Sequence, residues 1–122
     1  MNFKIKSNIK NDHILITAVG KISNFDEFKL LNKLYFEEIE KLKLNKIIVD
    51  ERDLEKPLSL LNMTDLTNFY ETSISHNIDK WKASIIVDAN YKEVAEFWEM
   101  LTKEMGYKFK TVLSMEEALE FI

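Results

Sequence analysis

Apolar runs of strand length alternate with longer stretches of helical periodicity along this chain of 122 residues. That alternation predicts an α/β domain built on a mixed, mainly parallel sheet of about five strands. Three observations carry the prediction. Lys46-Ile47-Ile48-Val49-Asp50 and Ala83-Ser84-Ile85-Ile86-Val87-Asp88 both have an apolar centre and both end on an aspartate, as strands covered on two faces do. Each is followed by a capped segment of helical pattern, the crossover that a parallel strand requires. The first two strand-like runs are joined by a short polar link, which predicts an antiparallel first strand. The expected order is β-β-α-β-α-β-α-β-α, in a single domain over residues 1–122.

Phe3-Lys4-Ile5-Lys6-Ser7 alternates in polarity, as a half-buried strand does. Asn8 to Asp12 is read as a turn, since it holds the Asn11-Asp12 pair. His13 to Val19 is denser in apolar residues and predicts a more buried strand, which Gly20 ends. Ser23 or Asn24 then caps a helix, with Asp26 or Glu27 at capping-box spacing. That helix runs to about Leu42 on a stripe of Phe28, Leu31, Tyr35, Ile39 and Leu42. Leu30, Leu34 and Phe36 widen the stripe enough to predict a second apolar contact, such as a homodimer.

After the third strand, Glu51 to Met63 reads as a long loop, because Pro57 disfavours helix just before it. Asn62 or Thr64 caps the second helix, which extends to about Ser75 with Asp65 in its first turn. Asn90 caps the third helix, with Glu93 as its reciprocal partner and Val94, Phe97, Trp98, Leu101 and Met105 inward. Gly106 stops it. Tyr107 to Leu113 alternates and predicts a strand with Lys108 and Lys110 on one solvent face, a pattern that guards a sheet edge. Ser114 and Glu117 form a capping box on a last helix, Met115 to Ile122.

Composition narrows the function classes. The apolar fraction of 46% and charged fraction of 31% are those of a soluble globular protein. There is no cysteine, which removes disulfides, thiolate nucleophiles and cysteine zinc sites. The two histidines, His13 and His76, do not make a zinc site even with Asp79 nearby. With only Gly20 and Gly106, a glycine-rich phosphate cradle is excluded. The formal charge of −4 argues against nonspecific nucleic-acid binding. No run is apolar and long enough to span a bilayer, and the N-terminus lacks a signal-peptide core. A cytoplasmic location fits the cysteine-free composition. Neither a cofactor nor a resident metal is expected.

Phe97-Trp98-Glu99, then Gly106, then Val112 followed by Glu116-Glu117-Ala118-Leu119-Glu120-Phe121-Ile122, resemble the STAS domain. The likeness is to the small SpoIIAA-like proteins grouped as STAS/SEC14-like. Ile47-Ile48-Val49-Asp50 followed by Pro57-Leu58-Ser59 is similar too. The resemblance implies a non-enzymatic, protein-binding regulatory module. In the anti-sigma-factor-antagonist type a kinase phosphorylates a serine at the start of the helix after the third strand. Asp50 matches that group's strand aspartate. The helix start departs from its Asp-Ser-Ser-Gly pattern, and the nearest hydroxyls are Ser59 and Thr64. The SEC14-like branch implies a small apolar or lipid-like ligand instead.

The residues support a candidate surface on the same segment. Asp50 and Asp88 end neighbouring strands, and ligands of open α/β sheets sit beyond the carboxyl ends of strands. The pair could hold a cation or do acid–base work, although strand-end carboxylates more often cap loop amides. Phosphate on Ser59 or Thr64 would meet free N–H groups at a helix start, opposed by Glu51, Asp53, Glu55 and Asp65. Thr64 is more simply a cap. Arg52, the only arginine, could hold an anion with Lys56, or pair with Glu51 or Asp53. The long 51–63 segment carries Leu54, Leu58, Leu60, Leu61 and Met63 and is apolar for a loop, which predicts a ligand pocket beneath it.

Overall fold

A computed structural model describes residues 2–73 and 77–122. The elements are β1 (Phe3–Lys10), β2 (His13–Lys21), α1 (Phe25–Leu42), β3 (Lys46–Glu55), α2 (Leu60–Ser73), β4 (Lys82–Ile86), α3 (Lys92–Glu104), β5 (Lys108–Val112) and α4 (Met115–Phe121). Single 3-10 turns lie at Ile78–Lys80 and Ala89–Tyr91. The strands form one sheet in the order β1-β2-β3-β4-β5. β1 is antiparallel to β2, and every later pairing is parallel. The predicted class, element order and antiparallel first strand all hold.

Because the parallel strands advance steadily across the sheet, crossovers of one hand place α1, α2 and α3 on one face. Side-chain alternation then sorts the core into two layers. Ile14, Ile16, Ala18, Ile47, Val49, Ala83 and Phe109 pack under those three helices. Ile48, Ile86 and Val112 point the other way and meet Ala118 of α4. Ser84 shares that second face, and its buried hydroxyl donates to the Ala118 carbonyl at 2.8 Å, fixing α4 to β4.

The caps follow the sequence closely in three places. Asn24 Oδ1 accepts from the Glu27 amide at 2.9 Å, and Glu27 Oε1 accepts from the Ser23 amide at 2.6 Å. Ser114 Oγ accepts from the Glu117 amide at 3.2 Å. Gly106, with φ +86, is in the left-handed region just after α3.

Several boundaries differ. β1 continues to Lys10, so the turn is Asn11-Asp12 alone, with Asn11 at φ 56. Gly20 does not end β2 but lies within it, at φ +115. A Cβ there would stand 2.2 Å from the Asn2 carbonyl oxygen, because the N-terminal strand crosses close enough for the Lys21 amide to donate to it. The predicted extension of the second helix to Ser75, and His76 beyond it, fall outside the described residues. The wide stripe on α1 has an intrachain use. Phe36 stacks on Trp81 at 5.3 Å and meets Tyr70 edge-on at 5.3 Å, and Leu34 packs on the same core. That accounts for Leu34 and Phe36, while Leu30, 38% exposed, lies outside this core.

The resembling motif is structural. Trp98 stacks on Phe109 with ring centroids 5.4 Å apart. Glu99 Oε1 accepts from both the amide and the hydroxyl of Thr111, at 2.6 and 2.9 Å. Ala118 is fully buried. Among the described residues, no helix is long and apolar enough to cross a membrane.

Candidate functional site

β3 does not stop at Asp50. It runs on to Glu55 through a bulge, where Thr17 pairs with Asp50 but Val19 pairs with Asp53. A bulge changes which face later side chains take. Glu51 keeps the inward phase of Ile47 and Val49 under α1, Asp50 and Arg52 stay outside, and the bulge brings Leu54 back to the core. The predicted 51–63 loop shrinks to residues 56–59.

Outside, Arg52 Nε and Nη2 donate to the two oxygens of Asp50 at 3.0 and 2.8 Å, and the Arg52 amide adds a third bond at 3.1 Å. Burial pushes the Asp50 carboxyl up, but the Arg52 hydrogen bonds and charge outweigh it and hold Asp50 below the usual carboxylate range. The bond to Asp50 likewise raises Arg52. Arg52 thus pairs neither with Glu51 nor with Asp53, and it does not converge with Lys56.

Asp88 is also engaged. Strand β4 ends two residues earlier, at Ile86, and Asp88 Oδ1 accepts from the Asn90 amide at 2.8 Å. The cap is Asp88, not Asn90, and it caps the 3-10 turn that leads into α3. β3 and β4 are parallel neighbours as expected, with Asp50 opposite Ile86. Their two carboxylates are committed to separate local bonds, so the acid–base and cation readings of the Asp50–Asp88 pair are withdrawn. Among the described residues, no group of three His, Cys, Asp or Glu side chains is placed to hold a metal ion.

The start of α2 is resolved differently from the expectation. Pro57 centres a tight turn in which the Leu58 amide donates to the Lys56 carbonyl at 3.1 Å. Ser59 is the cap. Its Oγ accepts from the Asn62 amide at 3.3 Å, while Asn62 Oδ1 accepts from the Ser59 amide at 3.0 Å, a reciprocal box with Asn at the third position. Neither Asn62 nor Thr64 caps the helix. Thr64 and Asp65 lie on its second turn, both exposed. Beside Ser59, Leu60 and Leu61 are 43% and 70% exposed.

Inside lies a group that sequence reasoning missed. Lys56 and Glu51 form an ion pair with side chains 6% and 5% exposed. Tyr35 donates to the other Glu51 oxygen at 2.7 Å. The Lys56 ammonium also lies 5.7 Å from the Phe28 ring centroid and 5.3 Å from that of Tyr91. The Lys56 amide donates to the Tyr91 hydroxyl at 3.0 Å, which fixes the chain as it leaves β3. Burial, then the charge of Glu51 and its hydrogen bond, push the Tyr35 phenol well above its ordinary pKa.

Deeper still, Trp98 Nε1–H donates to Tyr70 Oη at 3.1 Å, Tyr70 donates to Asn32 Oδ1 at 2.8 Å, and Asn32 Nδ2 donates to the Phe28 carbonyl at 2.9 Å. Burial raises the Tyr70 phenol as well. A cavity of about 80 Å³ lies among these groups, between the sheet and the helices α1 to α3. Leu58 and Met63, from the turn and the first turns of α2, are part of its wall, beside Val49, Leu66 and Trp98.

This sheet order with its three helices on one face and a fourth behind is the SpoIIAA-like fold, the fold of STAS domains. No protein-family model matches the sequence, and no curated relative is found for it. Solved structures do match. An anti-sigma factor antagonist from Mycobacterium paratuberculosis superposes with a TM-score of 0.60 at 8% identity, over 97% of this chain and 92% of its own. An uncharacterized protein of the DUF3478 family with a SpoIIAA-like fold, from Shewanella loihica PV-4, gives 0.52 at 18% identity, over 98% and 92%. At these identities the likeness is one of fold.

Proposed function

We propose that this chain is a non-enzymatic regulatory module that binds another protein through the end of β3 and the start of α2. The observation that carries the reading is the exposed Leu60-Leu61 pair in the first turn of α2, next to the capping Ser59. Exposed leucines at a helix start gain nothing from their own fold, whereas a partner that covers them removes apolar area from water. The neighbour named as an anti-sigma factor antagonist supports a protein-directed role. Ser59 is the better switch residue of the two hydroxyls. A phosphate there would stand at the free N–H groups of α2, and it would exchange a cap hydroxyl for a dianion. Thr64 contributes an exposed hydroxyl one turn on.

The test is a quantitative pull-down from the native host with wild-type chain and two variants, Leu60→Ser/Leu61→Ser and Ser59→Glu. A partner retained by wild type, lost in the leucine variant and altered by Ser59→Glu supports the reading. An identical partner set for all three removes it.

The cavity under residues 56–63 favours a second reading, a module that binds a small, apolar or lipid-like molecule. Native mass spectrometry of freshly purified chain, before and after organic extraction, tests it by looking for a co-purifying mass.

A further inference from the structure

The walls of the cavity specify more than an apolar occupant. Among the described residues, its only ionised members are Glu51 and Lys56, and they are already joined to each other. The polar groups Asn32, Tyr35 and Tyr70 have partners too. From this we infer that the cavity takes a small neutral molecule with an apolar body and one hydroxyl-like end, and that it excludes carboxylates and amines. The inference rests on the ligand-binding reading above and adds the charge class of the ligand.

A carboxylate entering beside Lys56 has to displace Glu51, and the displaced anion then stays in the same water-poor space. An ammonium ligand meets the converse problem with Lys56. A hydroxyl both donates and accepts. It can give its proton to a Glu51 oxygen and take an N–H of Lys56, whose ammonium has three donors and spends one on Glu51. Neither member of the pair has to leave.

Size points the same way. About 80 Å³ corresponds to roughly three water molecules, at about 30 Å³ for each. An occupant of about four heavy atoms fills such a space, and a full lipid does not. The half-exposed wall residues Leu58, Ile85, Tyr91 and Val94 provide the margin through which it enters.

Three probes with one chain and different heads test the class: 1-propanol, propanoate and propylamine, titrated into the chain and followed by amide chemical shifts and calorimetry. Propanol is expected to bind, shifting residues around Lys56, Met63 and Trp98, with the two ions weaker by more than about tenfold. Ala95→Leu, which fills the cavity from α3, is expected to abolish propanol binding. Ala83→Leu fills it from β4 and serves if the first variant does not fold. Propanoate or propylamine binding as tightly as propanol overturns the charge class but leaves the ligand-binding reading standing. Binding by none of the three overturns both. Propanol binding that survives both folded filling variants places the site elsewhere and overturns the inference.

Discussion

Replacing Lys56 with methionine keeps the length and apolar contacts of the side chain but leaves the Glu51 carboxylate in the core with one donor, Tyr35. Both members of the pair are more than nine-tenths buried. Removing one partner of such a pair costs about 3–5 kcal/mol, a large share of the roughly 5–15 kcal/mol that stabilises a domain. With an unfolding entropy of about 2.1 cal/mol/K per residue, 122 residues give roughly 0.26 kcal/mol/K, so Tm falls by about 12–20 °C. The double variant Lys56→Met/Glu51→Gln removes both charges, while the new side-chain amide oxygen can still accept from Tyr35. It should recover most of the loss, because the desolvation penalty of two ions disappears with their attraction. Urea melts followed by the fluorescence of the buried Trp81 and Trp98 measure all the corners of the cycle. A single-variant loss below about 1 kcal/mol, or a double variant no more stable than Lys56→Met, would refute the picture of a buried, mutually dependent pair.

Asp50→Asn tests the outer pair. In the folded chain Asp50 ionises below its ordinary value, so its contribution is complete above the unfolded pKa near ~4 and is lost as pH falls through the lower, folded one. The variant should lose about 1 kcal/mol at neutral pH and show a flatter acid limb in pH-dependent melts. Tyr70→Phe cuts the chain from Trp98 to Asn32 and leaves Asn32 Oδ1 without its donor, for an expected loss of about 1–3 kcal/mol by urea denaturation. Gly20→Ala places a Cβ against the Asn2 carbonyl, in a backbone region that alanine avoids. It should release the start of β1, seen as faster hydrogen exchange of the Lys21 amide, with a stability loss above about 1 kcal/mol. Tyr35→Phe should weaken alkaline unfolding. The raised phenol pKa means that stability falls once pH passes the unfolded value near ~10, and the variant lacks that titration.

Most of the fold was legible because this chain obeys local rules almost everywhere. The Ile47-Ile48-Val49 and Ile85-Ile86 centres, the caps at Asn24 and Ser114 and the stop at Gly106 each follow from residue type and spacing alone. The site was legible only in position. Ser59 and Asp88 lie just past the ends of β3 and β4, but Asp50 and Arg52 lie within β3 rather than at or beyond its end, and the partners of all four were not readable. Reading Glu51 as the first loop residue hid its inward position, which follows from continued alternation with Ile47 and Val49. Nothing in the local pattern marks the bulge opposite Ala18, which is set by pairing with β2 and returns Leu54 to the core. Lys56 stands five residues from Glu51, a spacing that has no meaning in a regular strand or helix. The one available signal was composition: a lysine just before a proline, at the start of the leucine-rich part of the segment. The cap at Ser59 was missed for a smaller reason, since its box is closed by Asn62 rather than by Glu or Gln.

The Thr111 amide points away from β4, since it is the next residue, Val112, whose carbonyl accepts the Val87 amide on the inner side. An outward amide of β5 that would help to begin a sixth strand is therefore occupied by the Glu99 carboxylate. A foreign peptide arriving on that side finds this docking point filled and two ammonium groups, Lys108 and Lys110, close by. Growth of this sheet into a fibril through β5 is thus opposed by a single acidic side chain from α3. The same residue that helps to mark the chain's resemblance also keeps its copies in concentrated solution from templating one another there.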